Sequence, residues 1–166
     1  MGLPTTAARR MLLGTAMALT LSAAAAMPAA AHPAGTATGA FTFLTDTKTP
    51  IGQAGGSQFF HEVASISYTG DLAGVANAND ILVVHSDGSV SGYGAETCDS
   101  CTIGGRTGSF TALFAFHGSD VGITGREIFV SASGGLAGLH GGGPFQGNAA
   151  GNTYSYDYRF APEWPR

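Results

Sequence analysis

From about residue 40 onward, apolar and polar side chains alternate rather than recur at helical spacing. "GAFTFLTD" sets Phe41 and Phe43 on one side and Thr42 on the other. "QFFHEVASISYTG" keeps Phe60, Glu62, Ala64, Ile66 and Tyr68 on a single face. In "SFTALFAF" the residues Phe110, Ala112, Phe114 and Phe116 share a face, as do Tyr154, Tyr156, Tyr158 and Phe160 in "TYSYDYRF". A two-residue period is that of a β-strand, whose successive side chains point to opposite faces. Asp87-Gly88 predicts a tight hairpin turn, and the Pro and Gly of "KTPIGQAGGS" predict a loop. The small, polar "HPAGTAT" predicts a mobile end. No stretch after residue 31 carries a helical period with caps. About seven to nine short strands joined by glycine-rich turns predict an all-β sandwich or barrel. Glycine within strands favours the sharp coiling of a small closed barrel.

Five blocks narrow this choice. "TGDLAG", "HSDGSVSGYGAET", "GGRTGSF", "GGLAGLHGGG" and "YSYDYRF" occur in that order. Together they resemble a bacterial, largely actinobacterial family of unknown function with the allene oxide cyclase-like barrel. The resemblance runs from about Thr36 to Phe160. It implies a single small antiparallel eight-stranded barrel of calycin type with a central cavity. It implies no cyclase activity, because no motif of that enzyme's site has a counterpart here. The chain departs from the family pattern at Cys98 and Cys101, at its N-terminus, and in "GREIFVSAS", which lacks the expected Trp.

The N-terminus changes the compartment. "MGLPTTAARR" supplies a positive start, "MLLGTAMALTLSAAAA" an apolar run and "MPAAAH" a small-residue end. This predicts an export signal over residues 1–31, cleaved between Ala31 and His32, and a barrel domain over residues 32–166 with its core at about 36–160. The apolar run is shorter than the ~20 residues of a membrane span, and no other stretch approaches one. Arg9-Arg10 leaves a twin-arginine route open beside general secretion. The protein is therefore expected to be secreted.

Of seven basic residues, Arg9 and Arg10 lie in the signal, whereas all eleven acidic residues follow it. So acidic a domain offers no electrostatic footprint for nucleic acid or an anionic membrane. In an oxidising compartment the only two cysteines, Cys98 and Cys101, read as a disulfide pinching a hairpin loop. A zinc site would need further ligands at matching spacing, and a thioredoxin-like site would need a helix after the strand.

Candidate chemistry is sparse. Glu62 and Glu127 are carboxylates within strand-like runs, each sharing a face with apolar residues. Facing an apolar cavity, either would have a raised pKa and serve as a general acid, a base or a ligand anchor. The alternatives are that either points outward, or is paired with Arg126 or Arg159. Phe60, Tyr68, Phe114 and Tyr156 are candidate cavity-lining residues, although a period-two aromatic face also describes plain core. His61, His85, His117 and His140 are scattered, without the spacing of a metal site. Arg106, just before a strand, is a candidate to bind an anion, and in its family block is expected to fix the turn by donating to backbone carbonyls. A mature N-terminal His32 offers an amine and an imidazole to copper, but Pro33 and the flexible residues beyond argue against a rigid site. No cofactor and no metal are expected.

Three functions fit. The first is a secreted barrel binding a small apolar molecule. The second is a cofactor-free cyclase or isomerase using one carboxylate in the same cavity. The third is a structural barrel filled by side chains.

Overall fold

The computed structural model describes residues 34–161. The expected cleavage junction at Ala31 and His32 lies outside them. Eight antiparallel strands follow one another round a closed barrel. They are β1 (Ala34–Ala54), β2 (Ser57–Gly70), β3 (Leu72–Val84), β4 (Val90–Ile103), β5 (Arg106–Ser119), β6 (Gly122–Gly134), β7 (Leu139–Asn148) and β8 (Gly151–Phe160). The described residues contain no helix, as the absence of a 3.6-residue period predicts.

Closure is made by β1 and β8, paired from Ala34↔Arg159 to Phe41↔Asn152. Residues 34–38, expected to be mobile, are therefore paired strand. The loop expected over 48–57 shrinks to a turn at Gly55-Gly56, because β1 stays paired with β2 as far as Ala54↔Ser57. The Asp87-Gly88 turn forms as predicted, with Ser89 N donating to Asp87 Oδ1 at 2.9 Å.

Every alternating face named from the sequence becomes an interior face. One end of the barrel is packed solid, because strand starts and strand ends meet there. Ala37 and Leu72 come from the starts of β1 and β3, Ile103 and Phe160 from the ends of β4 and β8, and all four are buried. Each large side chain so buried contributes roughly 1.5–3 kcal/mol. Tyr154 straps this end: its hydroxyl accepts from Leu72 N at 2.8 Å and lies 2.9 Å from Leu72 O.

The disulfide joins Cys98 and Cys101, but it does not pinch a hairpin loop. Both cysteines lie within β4, where the ladder to β5 slips between Cys98↔Phe110 and Cys101↔Gly108. The bond clasps this bulge and buries both sulfurs in the packed end. The hairpin turn itself is Gly104-Gly105, both at positive φ (58° and 73°), as a two-residue hairpin requires. Arg106 also differs from expectation. Its guanidinium sits 4.1 Å from the Phe160 ring centroid, a cation–π contact that covers the packed end.

Closing so short a loop contributes about 2 kcal/mol in the chain-entropy account. Urea unfolding with and without dithiothreitol should therefore show a lower midpoint for the reduced chain. Coincident curves would mean that the clasp adds nothing to stability.

Candidate functional site: a carboxyl-lined cup

The other end of the barrel is open inside. A cavity of about 280 Å³ lies between the packed end and the rim. The residues of β4 explain why space remains. Its inward positions are Val90, Gly92, Gly94, Glu96 and Cys98, so Val90 is the one bulky apolar side chain this strand gives to the cavity, while Tyr93 points outward and is 64% exposed. A Cβ on Gly92 would stand 2.4 Å from the Phe116 ring, and one on Gly94 would stand 2.3 Å from the Cβ of Asp80. On β6, Gly125 makes the same room for Phe145, whose ring a Cβ there would meet at 2.3 Å. The ends of these rings thus sit over glycines of the neighbouring strands. Ala64 and Ala78 keep the opposite wall shallow.

Aromatic and aliphatic side chains form most of the lining, among them Phe41, Phe43, Tyr68, Phe114, Phe116 and Phe145. Set among them are five carboxyl groups from five strands: Asp46, Glu62, Asp80, Glu96 and Glu127. One cation joins them, Lys48, the only lysine in the sequence. The barrel register makes the cluster. Lys48 pairs with Glu62 and Glu62 with Asp80 across successive strands.

Near the rim, the Lys48 ammonium contacts Asp46 and lies 3.1 Å from Glu62 Oε1. Glu62 is nevertheless pushed up to about 7, because burial and the acidic neighbours Asp46 and Asp80 outweigh the lysine. Burial, with Asp46 nearby, raises Asp80 to about 6. Deeper in the cup, Tyr68 donates to Glu96 Oε2 at 2.9 Å and Tyr156 donates to Glu127 Oε2 at 2.7 Å. Burial pushes Glu127 up to about 7, against the hydrogen bonds from Tyr156 and Tyr68. Glu96 is held well above the usual carboxylate range by burial and by the charge of Glu127. Each of these two groups keeps one buried oxygen, Glu96 Oε1 and Glu127 Oε1, without a partner among the described residues, as does Asp80 Oδ2. An orphaned buried acceptor costs about 1–3 kcal/mol. The cup therefore stores unmet hydrogen-bonding capacity at its acidic groups.

The structure places the sequence candidates as follows. Glu62 and Glu127 both face the cavity, as do Tyr68 and Phe114. Neither glutamate pairs with an arginine. Phe60 continues the inward phase of Glu62 but sits half-buried at the rim, outside the lining. Tyr156 is fully buried behind the wall and reaches the site only through its hydroxyl. The histidines do not converge: His61 bonds Asn79 and His85 bonds Ser91, each at 2.9 Å. No metal-holding group of side chains occurs among the described residues. Sequence reasoning missed Asp46, Lys48, Asp80 and Glu96. Asp80 alone carried a usable signal, since "ANAND" alternates in phase with Leu82.

The barrel is thus packed at one end and open at the other, with polar groups gathered inside the open half. The chain belongs to the family described as "Protein of unknown function (DUF3224)", which matches residues 37–160. Among solved structures it is similar to a DUF3224 protein of unknown function from Shewanella oneidensis MR-1, determined by crystallography at 1.84 Å resolution. The two share 20% identity with a TM-score of 0.65, over 79% of this chain and 100% of that one. At this identity the likeness is one of fold. No curated protein matches the chain.

The raised carboxyls tie stability to pH. A group whose folded pKa exceeds its unfolded value binds more protons in the folded state, so stability is present at low pH and lost as pH rises towards the folded pKa. For Glu127 the window runs from its ordinary 4.5 to about 7. That shift corresponds to a loss of about 3 kcal/mol. Thermal melts should show Tm falling from pH 5 to pH 8, and Glu127→Gln should flatten the profile. A Tm that rises over this range would place the carboxyls in a solvated setting.

Proposed function

We propose that this barrel is an exported protein that binds a small, largely apolar molecule in its cup. The observation that carries the reading is the cavity itself. Eight strands leave an interior that side chains are able to fill, and the packed end shows that this sequence fills it there. In the other half, inward glycines and alanines hold about 280 Å³ open. That pattern opposes a purely structural barrel. The predicted signal over residues 1–31 supports export, and the disulfide is compatible with an oxidising compartment.

Catalysis of an isomerisation is the second reading. It is favoured by Glu127, which lies in an apolar cavity with a pKa near neutrality, the condition under which a carboxyl exchanges protons readily. Conversion of a bound ligand that stops in Glu127→Gln would establish this reading over simple binding.

The binding function is tested with 2-phenylethanol, a neutral aromatic probe that fits the cup. Saturable chemical-shift changes confined to Phe114, Phe145 and their neighbours are expected. Ala78→Phe should fill the space and abolish them, at a cost in stability of about 1–3 kcal/mol from overpacking. Shifts that persist unchanged in this variant would locate the probe elsewhere and overturn the reading.

A further inference from the structure

We propose that the cup selects a protonated amine borne on a small aromatic or apolar body. The inference rests on the binding function above and adds the charge of the ligand.

Charge balance within the cup is the first argument. Five carboxyls line one cavity and a single ammonium answers them. That ammonium is engaged near the rim, where Lys48 contacts Asp46 and Glu62. Asp80, Glu96 and Glu127 have no cationic partner within hydrogen-bonding reach among the described residues, and each keeps an orphaned buried oxygen. The Glu96 and Glu127 side chains are each only 2% exposed, so bulk water does not relieve them.

The groups facing this floor do not supply the missing charge. Tyr68 of β2 and Tyr156 of β8 are neutral donors, and each serves the Oε2 atom of one carboxyl, leaving Oε1. His61 stands on β2 near Asp80 but is bonded to Asn79. From β5 and β7 come Phe114, Phe116 and Phe145, which carry no titratable group. Their faces attract a cation rather than an anion.

Ligand classes separate on this surface. A purely apolar molecule would cover the orphaned oxygens and leave them unmet. A carboxylate would add like charge to a cavity already short of cations. An ammonium brings three N–H donors and a positive charge to acceptors that lack both. The protein already holds one such group on the same wall, in the form of Lys48. Without a ligand, protons on the deep carboxyls provide the compensation, so an incoming ammonium displaces a proton.

Titration calorimetry of the full chain with three near-isosteric probes tests the proposal: phenethylammonium, 2-phenylethanol and 3-phenylpropionate. At pH 7.5 the amine should bind at least tenfold more tightly than the alcohol, and the carboxylate most weakly. Its apparent enthalpy should vary with the ionisation enthalpy of the buffer, reporting proton release. Its affinity should rise from pH 5.5 to 7.5, while that of the alcohol stays flat. Glu96→Gln with Glu127→Gln should bring the amine down to the level of the alcohol, and retained alcohol binding would certify an intact cup. The ranking of the three probes on the unaltered protein stands even if that variant fails to fold. Equal affinity for amine and alcohol would overturn the charge selectivity while leaving the binding function in place. Failure of all three probes to bind would overturn both.

Discussion

Everything else in this protein depends on how the sheet closes. Following paired residues round the barrel from Lys48, the path runs through Glu62, Asp80, Gly94, Phe114, Glu127 and Gly143, whose neighbours Gly142 and Phe145 lead through Asp157 and Tyr154 back to β1 between Thr36 and Gly39. The strands are thus strongly staggered, as closure of eight tilted strands demands. The stagger has two consequences. It brings side chains from distant stretches onto one interior surface, and it leaves the outer part of β1, beyond Phe41, paired only with β2. Asp46 and Lys48 lie on that outer part, so the same closure that builds the wall also builds the polar rim.

The interior divides into two regimes. In the packed end, apolar side chains, the disulfide and Tyr154 form one buried cluster, and the buried hydroxyl of Tyr154 meets backbone partners. In the cup, burial and polarity are in tension. Carboxyl groups lose hydration there, and ionising them costs far more than at the surface. The protein meets that cost in part with two tyrosine hydroxyls and one lysine. The remainder is met by protons, which is why all four buried carboxyls sit above their ordinary range. A fold with no use for these groups would be more stable with apolar side chains in their place.

The strand faces were legible because a half-buried strand imposes a two-residue period that composition alone reproduces. The runs Phe60 to Tyr68, Phe110 to Phe116 and Tyr154 to Phe160 all declare their inward side. Glu62 and Glu127 were legible for the same reason, as single polar interruptions of an apolar phase. Asp46 and Lys48 were hidden by a bulge. The ladder slips between Phe43 and Thr45, so the inward phase changes from odd to even positions within "GAFTFLTD", and Lys48 falls in "KTPIGQAGGS", which reads as a loop. Glu96 was hidden by inversion: β4 turns glycines inward and Tyr93 outward, opposite to what hydrophobicity suggests, because the Phe116 ring occupies the space above Gly92.

By itself, then, the sequence determined the class of fold, the strand-forming stretches and most inward faces, since these follow from local periodicity and turn chemistry. It also pointed, through the expected export signal, to a disulfide between Cys98 and Cys101, whereas the place of that bond, across a bulge within β4, followed from the strand register. Tertiary structure alone decided which half of the barrel is filled and which open. That outcome depends on which rings lie over which glycines across neighbouring strands. It also decided that five carboxyls and one ammonium share a cavity, because their positions are linked only by the stagger of the closed sheet. Register between strands is a long-range property, set by bulges and closure, and no local pattern of residues encodes it.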